Sequence, residues 1–243
     1  MNSNIYFIIG GVAVVFIIYM VVLQKIMKKK QQSQLDYFNS NHSGTPLTEQ
    51  QKRLLTFGAI LFYHRNEKIL EFIPKNRLDQ YVYGLKQQWE ITNSEEAKET
   101  LNNLIVLQRS NDFQPFLQQS SSELNKIQKK ISKGLNVELS TVEQTNSAYA
   151  WDICRAVSLT KWCFWCGYLT EDETWNFIKQ ATDVATKNGK DWTDYTVSFL
   201  LGRTIQGFDL DDVIVESKQI LHSQNPSIRK IEDIDVYKRY SFH

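Results

Sequence analysis

The sequence predicts an all-α protein: a single-pass N-terminal transmembrane helix followed by one compact multi-helix domain. Three observations lead there. Ile5 to Leu23 is an unbroken apolar run of 19 residues, long enough to cross the roughly 30 Å hydrocarbon core of a bilayer as one helix. From Thr48 onward, apolar residues recur at three- and four-residue steps behind helix-capping signals. No pair of alternating segments flanks a hairpin turn, and the chain has only 10 Gly and 4 Pro, too few for a many-turned β design. Four segments follow: a short extracytoplasmic N-terminus over residues 1–4, a transmembrane anchor helix over 5–27, a polar juxtamembrane stalk over 28–44, and an all-α cytoplasmic domain over 45–243.

The anchor is oriented by charge. Lys25, Lys28, Lys29 and Lys30 follow the apolar run, and Met1 to Asn4 carries no charged side chain. The positive-inside rule then places the N-terminus outside and the rest of the chain in the cytoplasm. A cleaved signal peptide would need the charge before the run and a small-residue cleavage site after it. Leu23-Gln24-Lys25-Ile26-Met27 offers no such site. Tyr6 and Tyr19 suit the headgroup level at the two ends. The expected location is the membrane bounding the cytoplasm, with residues 5–27 in contact with the lipid bilayer.

Within the domain, Thr48 and Gln51 have capping-box spacing ahead of Leu54, Leu55, Gly58, Ala59, Leu61 and Phe62. A second helix carries Leu78, Tyr81, Val82, Leu85 and Trp89 on one stripe. Thr92-Asn93-Ser94 starts a third, with Ala97, Leu101, Leu104 and Ile105 inward. Residues 112–134 read as a surface helix, because Gln118 to Ser122 is polar throughout. Asn146 to Gly167 is apolar nearly all round, the pattern of a buried central helix. Thr170 and Glu173 form a second capping box, and the helix they open is closed by Gly189. Asp191 caps the next helix, up to Gly207, and Asp209 the one after it, which ends before Pro226. The tail from Ile228 is ambiguous.

Composition excludes some classes. Of 28 basic residues four lie before residue 35 and of 27 acidic residues none does, so residues 35–243 carry 24 basic against 27 acidic side chains. A formal charge of −3 gives no basic footprint for nucleic acid. The three cysteines, Cys154, Cys163 and Cys166, are not expected to form structural disulfides in a reducing compartment. Cys163-Phe164-Trp165-Cys166 ends an apolar helix instead of opening one after a strand, so it lacks the setting of a redox motif. It also lacks a second pair at zinc-site spacing. Buried small hydrophobes at helix contacts are the expected role, and no metal or cofactor is expected. Glu171, Asp172 and Glu173 are explained by the macrodipole of the helix they open, as are Asp209, Asp211 and Asp212. No P-loop, nucleophile elbow, zincin or dinucleotide fingerprint occurs.

Asp152 and Arg155 carry more information. They lie three apart on the apolar helix, where they can pair, and burying either charge alone is expensive. Arg203, in the apolar run Val197 to Ile205, faces the same problem and is grouped with them. Two readings follow: a buried ion-pair network that locks helices together, or an arginine-lined pocket for an anionic ligand with Asp152 orienting the guanidinium groups.

Trp89-Glu90-Ile91, Ala150-Trp151-Asp152-Ile153-Cys154-Arg155-Ala156-Val157, Gly167-Tyr168-Leu169 and Leu200-Leu201-Gly202-Arg203 occur in that order. Over residues 80–207 the chain thereby resembles the bacterial family catalogued as domain of unknown function 1266. The resemblance implies a bacterial helical domain without an agreed activity, with Asp152, Arg155 and Arg203 in its signature. Family members often carry small residues near Cys163 and Cys166, which argues against essential thiols. The functional expectation is a membrane-anchored protein-interaction module with a protein partner and no catalytic centre. The alternative is an enzyme or small-anion-binding domain with a pocket around Asp152, Arg155 and Arg203.

Overall fold

A computed structural model describes residues 3–74, 78–227 and 230–243 of the chain; in the first helix the side chains of residues 3–11, 30, 31, 34, 35, 37 and 39–41 are outside the description. All regular structure among the described residues is helical. The helices are α1 (Ser3–Asn41), α2 (Glu49–Thr56), α3 (Ala59–His64), α4 (Leu78–Trp89), α5 (Ser94–Ile105), α6 (Gln108–Leu117) and α7 (Ser122–Leu135). They are followed by α8 (Leu139–Glu143), α9 (Tyr149–Trp165), α10 (Glu171–Asn188), α11 (Trp192–Ile205), α12 (Asp211–Leu221) and α13 (Val236–Arg239).

The architecture is organised around α9. Every one of its residues is buried, as the apolar pattern from Asn146 to Gly167 predicts. α10, α11 and α5 pack along it, and α3, α6 and α4 close the remaining sides. Its partners start where local chemistry puts them. Thr48–Gln51 and Thr170–Glu173 are full reciprocal capping boxes, each satisfying two otherwise orphaned backbone donors. The side chains of Asn93 and Asp191 each accept two first-turn N–H groups. Gly189 closes α10, with extended and not left-handed backbone.

Several expectations need correction. The run after Thr48 is two helices, broken at Phe57-Gly58. The surface helix expected over 112–134 is also two, α6 and α7, and its polar stretch is the break: Ser121 caps α7 through Leu124 N–H. Asp209 does not cap α12. The N-cap position is Leu210, without a side-chain bond, and Asp209 instead offers its carbonyl to Arg203. The ambiguous tail is docked: Phe242 is buried among Phe57, Trp192 and Tyr195, and Tyr237 stacks on Trp192 at 4.3 Å.

α1 continues unbroken from the apolar run through the lysines to Asn41, so residues 28–41 are helix. Among the described residues no helix is long and apolar enough to cross a membrane. The side chains of Ile5 to Gly11, the first part of the expected anchor, and of Lys30, lie outside the described set. From Val12 to Met27, ten valine, isoleucine, phenylalanine and methionine side chains, among them Val15, Phe16 and Ile26, are more than 45% exposed. The far end of α1 is docked on the domain. Phe38 is buried edge-on to Phe164, with ring centres 5.1 Å apart. Glu171, at the start of α10, accepts the backbone N–H of Ser43 at 2.8 Å and its hydroxyl at 3.0 Å.

α11 packs tightly on α9 at Gly202, where an added Cβ would sit 2.4 Å from Trp151 Cβ and 3.1 Å from Ala148 Cβ. Both obstacles are at the root of a side chain and cannot swing away, so the helices must part. Gly202→Ala is expected to destabilise the protein by about 1–3 kcal/mol, read as a lowered denaturation midpoint. An unchanged midpoint would show that this contact has slack.

Candidate functional site: an arginine-lined cleft

The charges buried on α9 are satisfied one at a time. Asp152 is fully buried; one carboxylate oxygen pairs with Arg155 Nη2, and the other accepts the Ser110 backbone N–H at 2.8 Å. Ser110 lies in the first turn of α6, whose N-cap residue Leu107 supplies no side-chain acceptor. Asp152 thus fills from α9 the place of a missing cap, where an anion also favours the macrodipole. Arg155, 7% exposed, donates from Nε to the Trp151 carbonyl at 3.0 Å and from Nη1 to Gln206 Oε1 at 3.5 Å. Its guanidinium lies 4.3 Å from the centre of the Trp151 ring. Burial pushes the Asp152 carboxyl up and the Arg155 guanidinium down from their ordinary values, and their mutual attraction opposes both shifts.

This pair forms part of the wall of a cleft of about 800 Å³. Arg203 also lines it but does not join the pair. It is half-buried, donates Nε–H to the Asp209 carbonyl at 2.9 Å, and lies 5.3 Å from the centre of the Phe208 ring. Desolvation holds its guanidinium below the ordinary value. The structure therefore brings Asp152, Arg155 and Arg203 to one cleft, although only two of them touch.

The cleft holds two further arginines that the sequence did not single out. Arg65, just past the end of α3, stacks 4.3 Å from the Trp162 ring centre and reaches Gln88 Oε1 at 3.4 Å. Arg109 enters from the first turn of α6 and contacts Asp112 at 3.5 Å on the surface. Among the described residues no carboxylate lies within 4.0 Å of Arg65 or Arg203. The backbone on the rim is strained: Glu90 and Leu107 both take left-handed conformations, at φ 58° and 60°. Such conformations cost of order 1–3 kcal/mol for a non-glycine residue and cluster at binding sites.

A second network supports the same wall. Lys161 is fully buried, with Nζ 2.9 Å from Glu67 Oε2 and 3.4 Å from the centre of the Phe62 ring. Burial lowers its ammonium from the ordinary lysine value, and Glu67 opposes that. The other Glu67 oxygen accepts from Trp162 Nε1 and Tyr81 Oη, each at 2.9 Å. Trp162 is thereby fixed in the cleft wall with Arg65 on its face. A lysine inside an all-apolar helix was the signal for this network, but its partner Glu67 lies 94 positions away and no pattern announces it.

The thiols take no part. Cys154 and Cys163 are fully buried; burial pushes the Cys154 and Cys166 thiols up to about 12 and Cys163 well above its ordinary value. Thiols so shifted are protonated and poor nucleophiles near neutral pH. Among the described residues no group of three or more His, Cys, Asp or Glu side chains is placed to hold a metal ion. Of the acidic cluster opening α10, Glu173 completes the capping box and pairs with Lys98 at 2.5 Å, and Glu171 holds Ser43.

Residues 84–223 match the family described as "Protein of unknown function (DUF1266)". No curated protein and no solved structure matches the chain. The match covers more than half of the sequence and includes most of the cleft, and the chain belongs to this family of proteins of unknown function.

Removing Arg155 strands the Asp152 carboxylate in the core. Arg155→Met is expected to cost about 3–5 kcal/mol, measured by chemical denaturation. The double variant Asp152→Asn/Arg155→Met should recover part of that loss. A single variant as stable as the parent would overturn the account of the pair.

Proposed function

We propose that this protein is a binding module for a small anionic ligand, tethered to a membrane by α1. The observation that carries the first half is the pair Arg65 and Arg203. Two guanidinium groups face one cleft with no carboxylate in ion-pair reach among the described residues. A guanidinium offers five donors in a fixed fork that matches carboxylate or phosphate geometry, and here several remain for a guest. The Asp152–Arg155 pair serves as a fixed, buried wall behind them. The geometry thus favours the pocket over a purely protein-binding surface. One histidine, His64, lines the cleft with its Nδ1 2.7 Å from Glu216 Oε2, but among the described residues no serine or cysteine lines it as a nucleophile, which supports binding more than nucleophilic catalysis.

The tether is supported by sequence and exposure together. The run Ile5–Leu23 ends at a lysine cluster, and the described side chains of its second half are exposed and apolar. In water such a surface is costly, at about 25 cal/mol per Å² of apolar area; in a bilayer it is at home. We place the N-terminus outside and the domain in the cytoplasm by the positive-inside rule.

Arg203→Ala and Arg65→Ala should each weaken binding of pyrophosphate, used as a probe anion, by tenfold or more, since a charge-assisted hydrogen bond contributes about 1.5–3 kcal/mol. Arg65 is exposed and Arg203 only partly buried, and neither is in an ion pair among the described residues, so thermal stability should stay within about 1 kcal/mol of the parent. Unaltered affinity in both variants would sink the pocket reading. For the tether, the full chain should resist alkaline carbonate extraction from membranes, and the double variant Val14→Lys/Ile17→Lys should be released. A parent protein that washes off would refute it.

A further inference from the structure

The cleft is much larger than an inorganic anion requires, and its lining is not only cationic. About 800 Å³ falls in the range of about 300–1,000 Å³ found for organic ligands. Its mouth carries the ring of Phe208, 49% exposed, an unusual setting for a phenylalanine. Phe208 follows Gly207, whose left-handed backbone at φ 94° turns the chain at the end of α11. The ring is held by Arg203 at 5.3 Å and by Trp151, 5.9 Å between centres. The guanidinium groups of Arg65 and Arg155 lie over the rings of Trp162 and Trp151, each 4.3 Å from the ring centre. The polar remainder of the wall includes the amides of Gln87, Gln88, Asn103 and Gln108, together with His64 and Glu90.

Each component answers a different part of one kind of molecule. Exposed aromatic rings and guanidinium planes stack on a planar heterocycle. Side-chain amides, which both donate and accept, read the edge of such a ring. Arg65 and Arg203 supply donors for a phosphate. Resting on the anion-binding reading above, we propose that the ligand is a mononucleotide, its phosphate held by Arg203 and Arg65 and its base stacked at Phe208. A monomer suits the cleft better than a nucleic-acid strand. Residues 35–243 carry three more acidic than basic side chains, an overall charge that does not favour a polyanionic backbone.

The test is calorimetric titration of the full chain in detergent with the four ribonucleoside 5′-monophosphates, adenosine, inorganic phosphate and pyrophosphate. At least one monophosphate should bind tenfold or more tighter than inorganic phosphate, and adenosine at least tenfold weaker than its nucleotide. Phe208→Ala should weaken the nucleotide about tenfold and leave pyrophosphate unchanged, while Arg203→Ala should weaken both. Because Phe208 is exposed, its removal should leave the melting temperature in place. Nucleotides binding no tighter than phosphate, or binding insensitive to Phe208→Ala, would overturn the nucleotide proposal and leave an anion site standing. Failure of every phosphate compound, pyrophosphate included, would overturn both readings.

Discussion

The structure depends on one constraint: a helix buried along its whole length carries an aspartate, an arginine and a lysine. Asp152, Arg155 and Lys161 are 0%, 7% and 0% exposed. An uncompensated charge in such a place costs several kcal/mol, so the elements packed around α9 must each deliver a partner to a fixed point. α6 delivers the Ser110 N–H to Asp152, α11 ends at Gln206 beside Arg155, and the turn after α3 delivers Glu67 to Lys161. Apolar burial supplies the driving force for assembling the bundle. These polar contacts specify which register and orientation the assembly takes.

The same arrangement explains why a cleft forms there. Beyond the Asp152–Arg155 pair on α9 itself, partners for the buried charges come from helix ends: the start of α6, the turn after α3 and the end of α11. Helix ends converging on one side of α9 cannot interdigitate as faces do, so space remains between them. The space is lined by what helix ends carry, polar side chains and the strained turn at Glu90, with the left-handed Leu107 preceding the lining residue Gln108. Solving the electrostatics of the core thereby creates a concave polar site next to it.

The stretches by which the chain resembles its family divide between two places. Trp89-Glu90, Trp151 to Arg155 and Gly202-Arg203 meet at the cleft or its supporting contact. Tyr168-Leu169 lies instead beside Phe38 and Glu171, where the end of α1 docks. α1 also packs on α4, the helix whose last residues form the cleft rim. The stretches that carry the resemblance thus fall partly at the cleft and partly at the joint through which the N-terminal helix meets the domain.

Helix class, the buried central helix, both capping boxes and the cap at Asp191 were all legible in the sequence, because each depends on spacing within one or two turns. The pairing of Asp152 with Arg155 was legible for the same reason: i, i+3 neighbours on a helix meet whatever surrounds them. The breaks at Phe57-Gly58 and before Ser121 were not, since an apolar stripe runs through a change of direction without altering its period. Nor were Arg65, Arg109, Glu67 or the docking of Phe242. Their roles arise from contacts between residues far apart in the chain, which only the packed bundle chooses. Arg203 shows the division within one residue. Its apolar neighbourhood announced that it would need a partner, and the fold gave it the Asp209 carbonyl and a place on an open cleft, because α11 ends there and its last turn faces the space between helix ends.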